Sequence, residues 1–184
     1  MSPASPGDRE AVVYDLDGTL LRLAVDWPGL AAELRERFRR AGVDADGWSV
    51  WDCYHRAPDH GLVGEVAAAI TERELAGAEA AERLPAADDL VDLSIPVGVC
   101  SLNAEAACRA ALRRHGLLDH VDAVVGRDTV GPVKPDPAPL LAAVEGLGAE
   151  PGAAFYVGNR EKDAETARRA GVPFAYVSGD GPTE

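Results

Sequence analysis

Five short apolar runs recur along the chain: AVVYDL (11–16), IPVGVC (95–100), DAVVG (122–126), AAFYVG (153–158) and PFAYVS (173–178). Each is of strand length, partly β-branched and without clean alternation, the pattern of parallel strands covered on both faces. Between the last four lie segments with helical start and stop signals. Asn103 stands where it can cap AEAACRAALRRH, which stops at Gly116; Asp136-Pro137 opens APLLAAVEGL, which stops at Gly148; REKDAETARRA stops at Gly171. Strand and helix in alternation predict a doubly wound parallel α/β sheet. Between the first and second runs the alternation fails for roughly seventy residues. There Pro28 starts a helix with Leu30, Leu34 and Phe38 at i, i+4 and i+8 and a stop at Gly42, and LVGEVAAAITEREL (62–75) gives a second. The pattern therefore predicts an α/β core built from 1–21 and 85–184, with a small helical cap inserted over 22–84. Inside the insertion lies an aromatic and histidine-rich connector, GWSVWDCYHRAPDH (47–60), whose Trp48, Trp51 and Tyr54 are expected to pack between cap and core.

Composition narrows the function classes. At 184 residues the chain accommodates one core plus a small insertion, but no second full domain. A net charge of −13 repels nucleic acid and anionic membranes, so neither is expected as a partner. Sixteen arginines stand against two lysines, Lys134 and Lys162, and the acids are scattered. That balance suits an acidic surface adapted to concentrated salt, where screening removes self-repulsion. A GC-rich genome would favour the same residues. The first ten residues, MSPASPGDRE, carry no apolar stretch, and no later segment approaches the ~18 apolar residues of a membrane span, so a soluble, cytoplasmic protein is expected. Cys53, Cys100 and Cys108 lack CxxC spacing and read as buried thiols of a reducing compartment.

The candidate chemistry lies where the apolar runs end. In an extended strand residues i and i+2 share a side, so Asp15 and Asp17 of AVVYDLDGTL converge while Leu16 turns into the core. Two carboxylates forced together raise one pKa sharply unless a cation joins them, so the pair calls for a metal, a shared proton or a division of labour. Gly18 then lets the chain turn and expose backbone N–H groups, at the sheet edge where doubly wound folds bind ligands. Later runs end in Ser101, with Leu102-Asn103 at a helix start, in VKPDP (133–137) with Lys134, and in VGNREKD (157–163).

In this order the motifs resemble the haloacid dehalogenase-like (HAD) superfamily, in particular its phosphoglycolate phosphatase-like branch, whose helical cap follows the first motif. DLDGTL, VCSLN, VKPDP and VGNREKD match its four motifs, and GLLDHVDAVVGRDTVGPVKPDPAPLL (116–141) follows the family pattern almost continuously. The resemblance implies a Rossmannoid core and an Asp-based phosphohydrolase acting on a small phosphorylated metabolite. Asp15 would be the nucleophile and Asp17 the general acid and base. Ser101 and Lys134 would hold the phosphoryl group. Mg²⁺ would be held by the Asp15 carboxylate, the Asp17 backbone carbonyl and the motif-four residues Asn159 and Asp163.

One position departs from the family pattern, which is usually GDxxxD: the first motif-four acid is here Asn159. An amide brings no charge, so Mg²⁺ affinity is expected to fall unless Asp163 enters the inner shell. A catalytically impaired binding or regulatory relative therefore stays open, as does a phosphosugar mutase, which keeps both aspartates. Asp17 argues against a dehalogenase, and a cap without lysine argues against phosphonate hydrolysis through a Schiff base. His55, Arg56 and His60 of the cap, and Lys162, are expected at the surface.

Overall fold

The computed structural model describes residues 9–177. The N-terminal stretch behind the cytoplasmic expectation falls almost wholly outside them, as does Ser178 at the end of the last apolar run. The five runs form strands β1 (Ala11–Tyr14), β4 (Val97–Cys100), β5 (Ala123–Val125), β6 (Ala154–Gly158) and β7 (Phe174–Tyr176). They make one parallel sheet in the order β5-β4-β1-β6-β7, with β1 at its centre, where Val13 faces Gly98 on one side and Tyr156 on the other. Every residue of β1 is buried because both faces are covered. Val12 and Tyr14 join a cluster with Leu90 and Leu112, whereas Val13 joins one with Leu140 and Val144. That double cover is why the run shows no alternation.

Helices α5 (Glu105–Arg114), α6 (Ala138–Gly146) and α7 (Glu161–Ala170) connect the strands. α7 ends at Gly171 with φ 69°, a left-handed conformation that glycine adopts without strain. α5 departs from expectation. Its N-cap is Ala104, which has no capping side chain, and Asn103 is turned inward. The carboxylate that serves the Ala104 N–H comes instead from Glu74, thirty residues earlier, at 2.9 Å.

The insertion contains α1 (Trp27–Arg40), α2 (Val50–Arg56) with a 3₁₀ turn at Ala57–His60, and α3 (Val63–Glu79). Asp26 caps α1 by accepting from the Gly29 N–H, and Leu30, Leu34 and Phe38 face inward as their spacing predicts. The connector is itself helical. Ser49 and Asp52 form a reciprocal capping box that starts α2. These helices share a separate apolar cluster including Leu34, Phe38, Cys53, Val66 and Ile70. The chain enters and leaves the insertion through a two-stranded antiparallel ladder, β2 (Leu21–Arg22) with β3 (Glu82–Arg83), before the short α4 (Ala86–Val91). All three cysteines are free and buried. Among the described residues no helix is long and apolar enough to cross a membrane.

Candidate active site

The Asp15 N–H still bonds to the Val157 carbonyl at 2.8 Å, so β1 delivers this carboxylate in register at the sheet edge. The chain then turns tightly, with the N–H groups of Thr19, Leu20 and Leu21 all converging on the Leu16 carbonyl. Gly18 makes the turn at φ 88°; a Cβ there would lie 2.2 Å from the Asn159 Nδ2, so the motif-four amide rests against the glycine. Asp17 accepts a hydrogen bond from the Leu23 N–H at 2.9 Å. Asp15 and Asp17 line the same cavity, as the i, i+2 spacing requires.

Lys134 holds the floor of that cavity together. Its Nζ donates to Asp15 Oδ1 at 2.8 Å, Asp163 Oδ1 at 2.6 Å, the Tyr156 hydroxyl at 3.0 Å and the Cys100 carbonyl at 3.2 Å. Burial raises the Asp15 pKa to about 6, with Lys134 pulling against the rise. Burial also raises Asp17, opposed by the Leu23 N–H. Burial works against the charges of Asp163 and Lys134, but Lys134 holds the Asp163 carboxyl below its ordinary value, and Asp15 followed by Asp163 holds the ammonium above its own. Asp163 is fully engaged: Oδ1 also accepts from the Tyr156 hydroxyl at 2.9 Å, and Oδ2 accepts from the Arg160 and Asn159 N–H groups at 3.0 and 3.3 Å. Tyr156, whose hydroxyl joins this network, carried no sequence signal beyond its place in an apolar run.

Ser101 is buried at the end of β4, donating to Asn103 Oδ1 at 3.0 Å and accepting from the Asn103 N–H at 3.1 Å. The cavity, about 340 Å³, rises from Asp15, Ser101 and Lys134 to Trp27 and Trp51 of the insertion. One edge sheet thus brings together Asp15, Asp17, Ser101 and Lys134, with Asn159 and Asp163 behind the first turn. The family model described as haloacid dehalogenase-like hydrolase matches residues 82–177, the stretch that carries Ser101, Lys134, Asn159 and Asp163. The chain belongs to the HAD-like hydrolase family.

Relatives of this HAD protein include a phosphoglycolate phosphatase of Nitrosospira multiformis, 30% identical over 194 residues that cover 92% of this chain and 86% of the relative. A phosphoglycolate phosphatase of Rhodospirillum rubrum is 45% identical over 84 residues, 46% of this chain. That match spans only 35% of the Rhodospirillum enzyme. Among solved structures, CbbY from Rhodobacter sphaeroides in complex with phosphate has the same fold, with TM-score 0.69, 21% identity and coverage of 96% of this chain and 89% of that one. A HAD-superfamily hydrolase of subfamily IA from Geobacter sulfurreducens gives TM-score 0.61 at 26% identity, covering 90% and 88%.

Several residues of this HAD chain sit elsewhere than expected. Lys162 is half-buried and also lines the cavity, with its Nζ 5.8 Å from the Trp51 ring centre. Trp51 meets the core across the cavity, at Lys162. Trp48 packs within the insertion, 5.2 Å from Phe38, and Tyr54 lies 5.6 Å from the Arg127 guanidinium, at the seam. His55, Arg56 and His60 are exposed and none lines the cavity, as expected. Trp27 and Arg160 were missed, because their place depends on how elements dock.

For a magnesium ion the residues present offer a lean but fitting set. Among the described residues no group of three or more His, Cys, Asp or Glu side chains has metal-holding geometry. Asp163 would have to leave Lys134 and two backbone N–H groups to serve as a ligand. Asp15 Oδ2 accepts a long contact, 3.4 Å, from the Thr19 hydroxyl, and the Asn159 amide lies beside the same turn. Mg²⁺ characteristically keeps several waters and takes one or two carboxylates plus substrate phosphate, which this set can satisfy.

Proposed function

We propose that this protein is a Mg²⁺-dependent phosphatase that hydrolyses a small organic phosphate monoester through an aspartyl-phosphate on Asp15. The observation that carries the reading is the Lys134 ammonium, buried at the cavity floor and bonded to both Asp15 and Asp163. A buried cation fixed on a carboxylate orients it, and leaves it paired where an incoming phosphate adds negative charge. The names of the full-length relatives, phosphoglycolate phosphatases, support phosphate-ester chemistry.

The ester phosphate enters over Asp15, with Lys134 and the Ser101 hydroxyl set to face its oxygens. Asp15 attacks phosphorus, forming an O–P bond as the ester P–O bond breaks. Asp17 gives its proton to the leaving alkoxide, and its raised pKa suits it to carry one. Water then attacks phosphorus, Asp17 takes up the water proton, and the Asp15–phosphorus bond breaks to release inorganic phosphate. Asp15, the Asp17 backbone carbonyl and Asn159 would hold Mg²⁺, which when bound would supply a Lewis acid for the phosphoryl oxygens. Asp163 holds Lys134 and the start of α7 in place.

A screen of small phosphate esters, phosphoglycolate among them, with and without Mg²⁺ and at low and high KCl, tests the reading. Phosphate release that requires Mg²⁺ and vanishes in Asp15→Asn is expected, because an amide is a poor nucleophile. Wild-type turnover in a contaminant-free Asp15→Asn preparation would remove the nucleophile. Binding of phosphorylated ligands without turnover would favour the regulatory reading, and transfer to a second hydroxyl of a phosphosugar would favour a mutase.

A further inference from the structure

Ser101 and Asn103, in the loop after β4, both line the cavity and are both buried. The serine gives its hydrogen to its neighbour: Oγ donates to Asn103 Oδ1 at 3.0 Å and accepts the Asn103 N–H at 3.1 Å. A hydroxyl has one hydrogen to give, and here it is turned away from the phosphate seat. Which end of the Asn103 amide meets the serine is decided on its other side, where Nδ2 donates to Oε1 of Glu74, on α3 of the insertion, at 3.1 Å. The same carboxylate accepts from Arg127 Nη1 at 2.7 Å and from the Ala104 N–H at 2.9 Å. An acceptor so engaged takes the amide NH₂, which leaves the amide oxygen for Ser101.

The loop backbone is pinned as well. Arg127 holds the Leu102 carbonyl at 3.0 Å through its guanidinium and the Asn103 carbonyl at 2.8 Å through its backbone N–H. A phosphate arriving on Lys134 therefore draws the serine hydrogen off Asn103 by rotation of the O–H alone. A hydrogen bond to an anionic oxygen is roughly twice as strong as one to a neutral amide, so the phosphate wins. About half of that gain is given back, because the amide oxygen loses its donor.

We propose that Asn103 is a positioning residue that competes with phosphate for the Ser101 hydrogen, its amide set from the cap by Glu74. The site then holds phosphate less tightly than its donors allow, which hastens the departure of inorganic phosphate as product. The inference rests on the phosphatase reading for placing phosphate at Ser101 and Lys134.

Titration calorimetry of inorganic phosphate onto the protein with Mg²⁺ tests it. Asn103→Leu removes the competing oxygen but keeps the backbone N–H that tethers Ser101 Oγ, and should bind phosphate about fivefold more tightly than wild type, the scale of one neutral hydrogen bond. Damage at a merely structural residue would weaken binding instead. In a Ser101→Ala background the same substitution should change nothing, since the contested hydrogen is gone. Glu74→Leu with Arg127→Met frees the amide to turn and should tighten binding part of the way; an unchanged affinity there overturns the role given to Glu74. Weaker or unchanged binding in Asn103→Leu, or an equal gain with and without Ser101, overturns the inference, and Asn103→Ala repeats the comparison if the leucine variant fails to fold. Ester hydrolysis without measurable phosphate binding in any variant overturns this inference and leaves the phosphatase reading standing. A fivefold gain in a protein that hydrolyses no ester does the reverse.

Discussion

Two buried ionic clusters lie within a few residues of each other, and they are built to different ends. At the cavity floor one cation, Lys134, serves two carboxylates, Asp15 and Asp163. At the seam between insertion and core one cation meets one anion: Arg127 Nη1 lies 2.7 Å from Glu74 Oε1, both almost wholly buried. The second pair is tied further into its surroundings. Glu74 also accepts from Asn103 Nδ2 at 3.1 Å and the Ala104 N–H at 2.9 Å, and Arg127 donates to the Leu102 carbonyl at 3.0 Å and the Thr71 hydroxyl at 3.1 Å. The seam cluster is neutral, and it borders the cavity only through its partners Leu102 and Asn103; the floor cluster is left with excess negative charge facing it. A site keeps charge unbalanced where a substrate or metal will balance it, and a joint does not.

If the floor is chemistry and the seam is architecture, substitutions in the two should fail in different ways. The largest effect is expected from Asp17→Asn, which loses proton transfer and should lower kcat by ~10²–10⁴-fold with little change in melting temperature. An activity loss matched by an equal loss of stability would erase the distinction. Glu74→Gln comes next and runs the other way: it leaves the Arg127 charge buried without its counterion, and urea unfolding should show a loss of about 3–5 kcal/mol. Replacing both partners, Glu74→Leu with Arg127→Met, should recover much of that loss, since no buried charge is then orphaned. A double variant no better than the single would show that the cluster does more than join.

Smaller effects sharpen the floor. Asn159→Asp should lower the Mg²⁺ concentration needed for half-maximal turnover, because a hard cation gains more from a carboxylate than from an amide oxygen. The side chains are nearly equal in size, so the contact with Gly18 should persist. An unchanged Mg²⁺ requirement would place Asn159 outside the metal site, and an inert wild type with an active variant would mark a disarmed phosphatase. The smallest shift concerns neither cluster. The exposed acids should raise the melting temperature between low salt and molar KCl, beyond the ~0.15 M at which surface charges are already largely screened. A flat response would favour genome composition as the source of the acidity.

The strands and the floor residues were legible because their signals are local. Parallel strands covered on both faces write unbroken apolar runs, and the turn after β1 needs its glycine beside its acids. What was not legible depends on docking. α2 has only seven residues, too few to show a period, and its capping box lies inside an aromatic stretch that masks it. Asn103 looked like a cap because nothing nearby revealed that Glu74, from a different helix, would take the Ala104 N–H and turn the asparagine toward Ser101. Lys162 and Trp51 meet only once the insertion closes over the sheet edge.

The ladder of β2 with β3 has a consequence for how such proteins diversify. Leu21 pairs with Arg83 and Arg22 with Glu82, so the chain departs from the core and returns to it one strand spacing apart, ~5 Å. An excursion with adjoining ends can be exchanged for another by recombination without reopening the sheet. The incoming unit must still present a carboxylate to Arg127 and the Ala104 N–H, as Glu74 does here. That single acid is the compatibility requirement for any transplanted cap, and chimaeras lacking it should assemble poorly even when their junctions are sound.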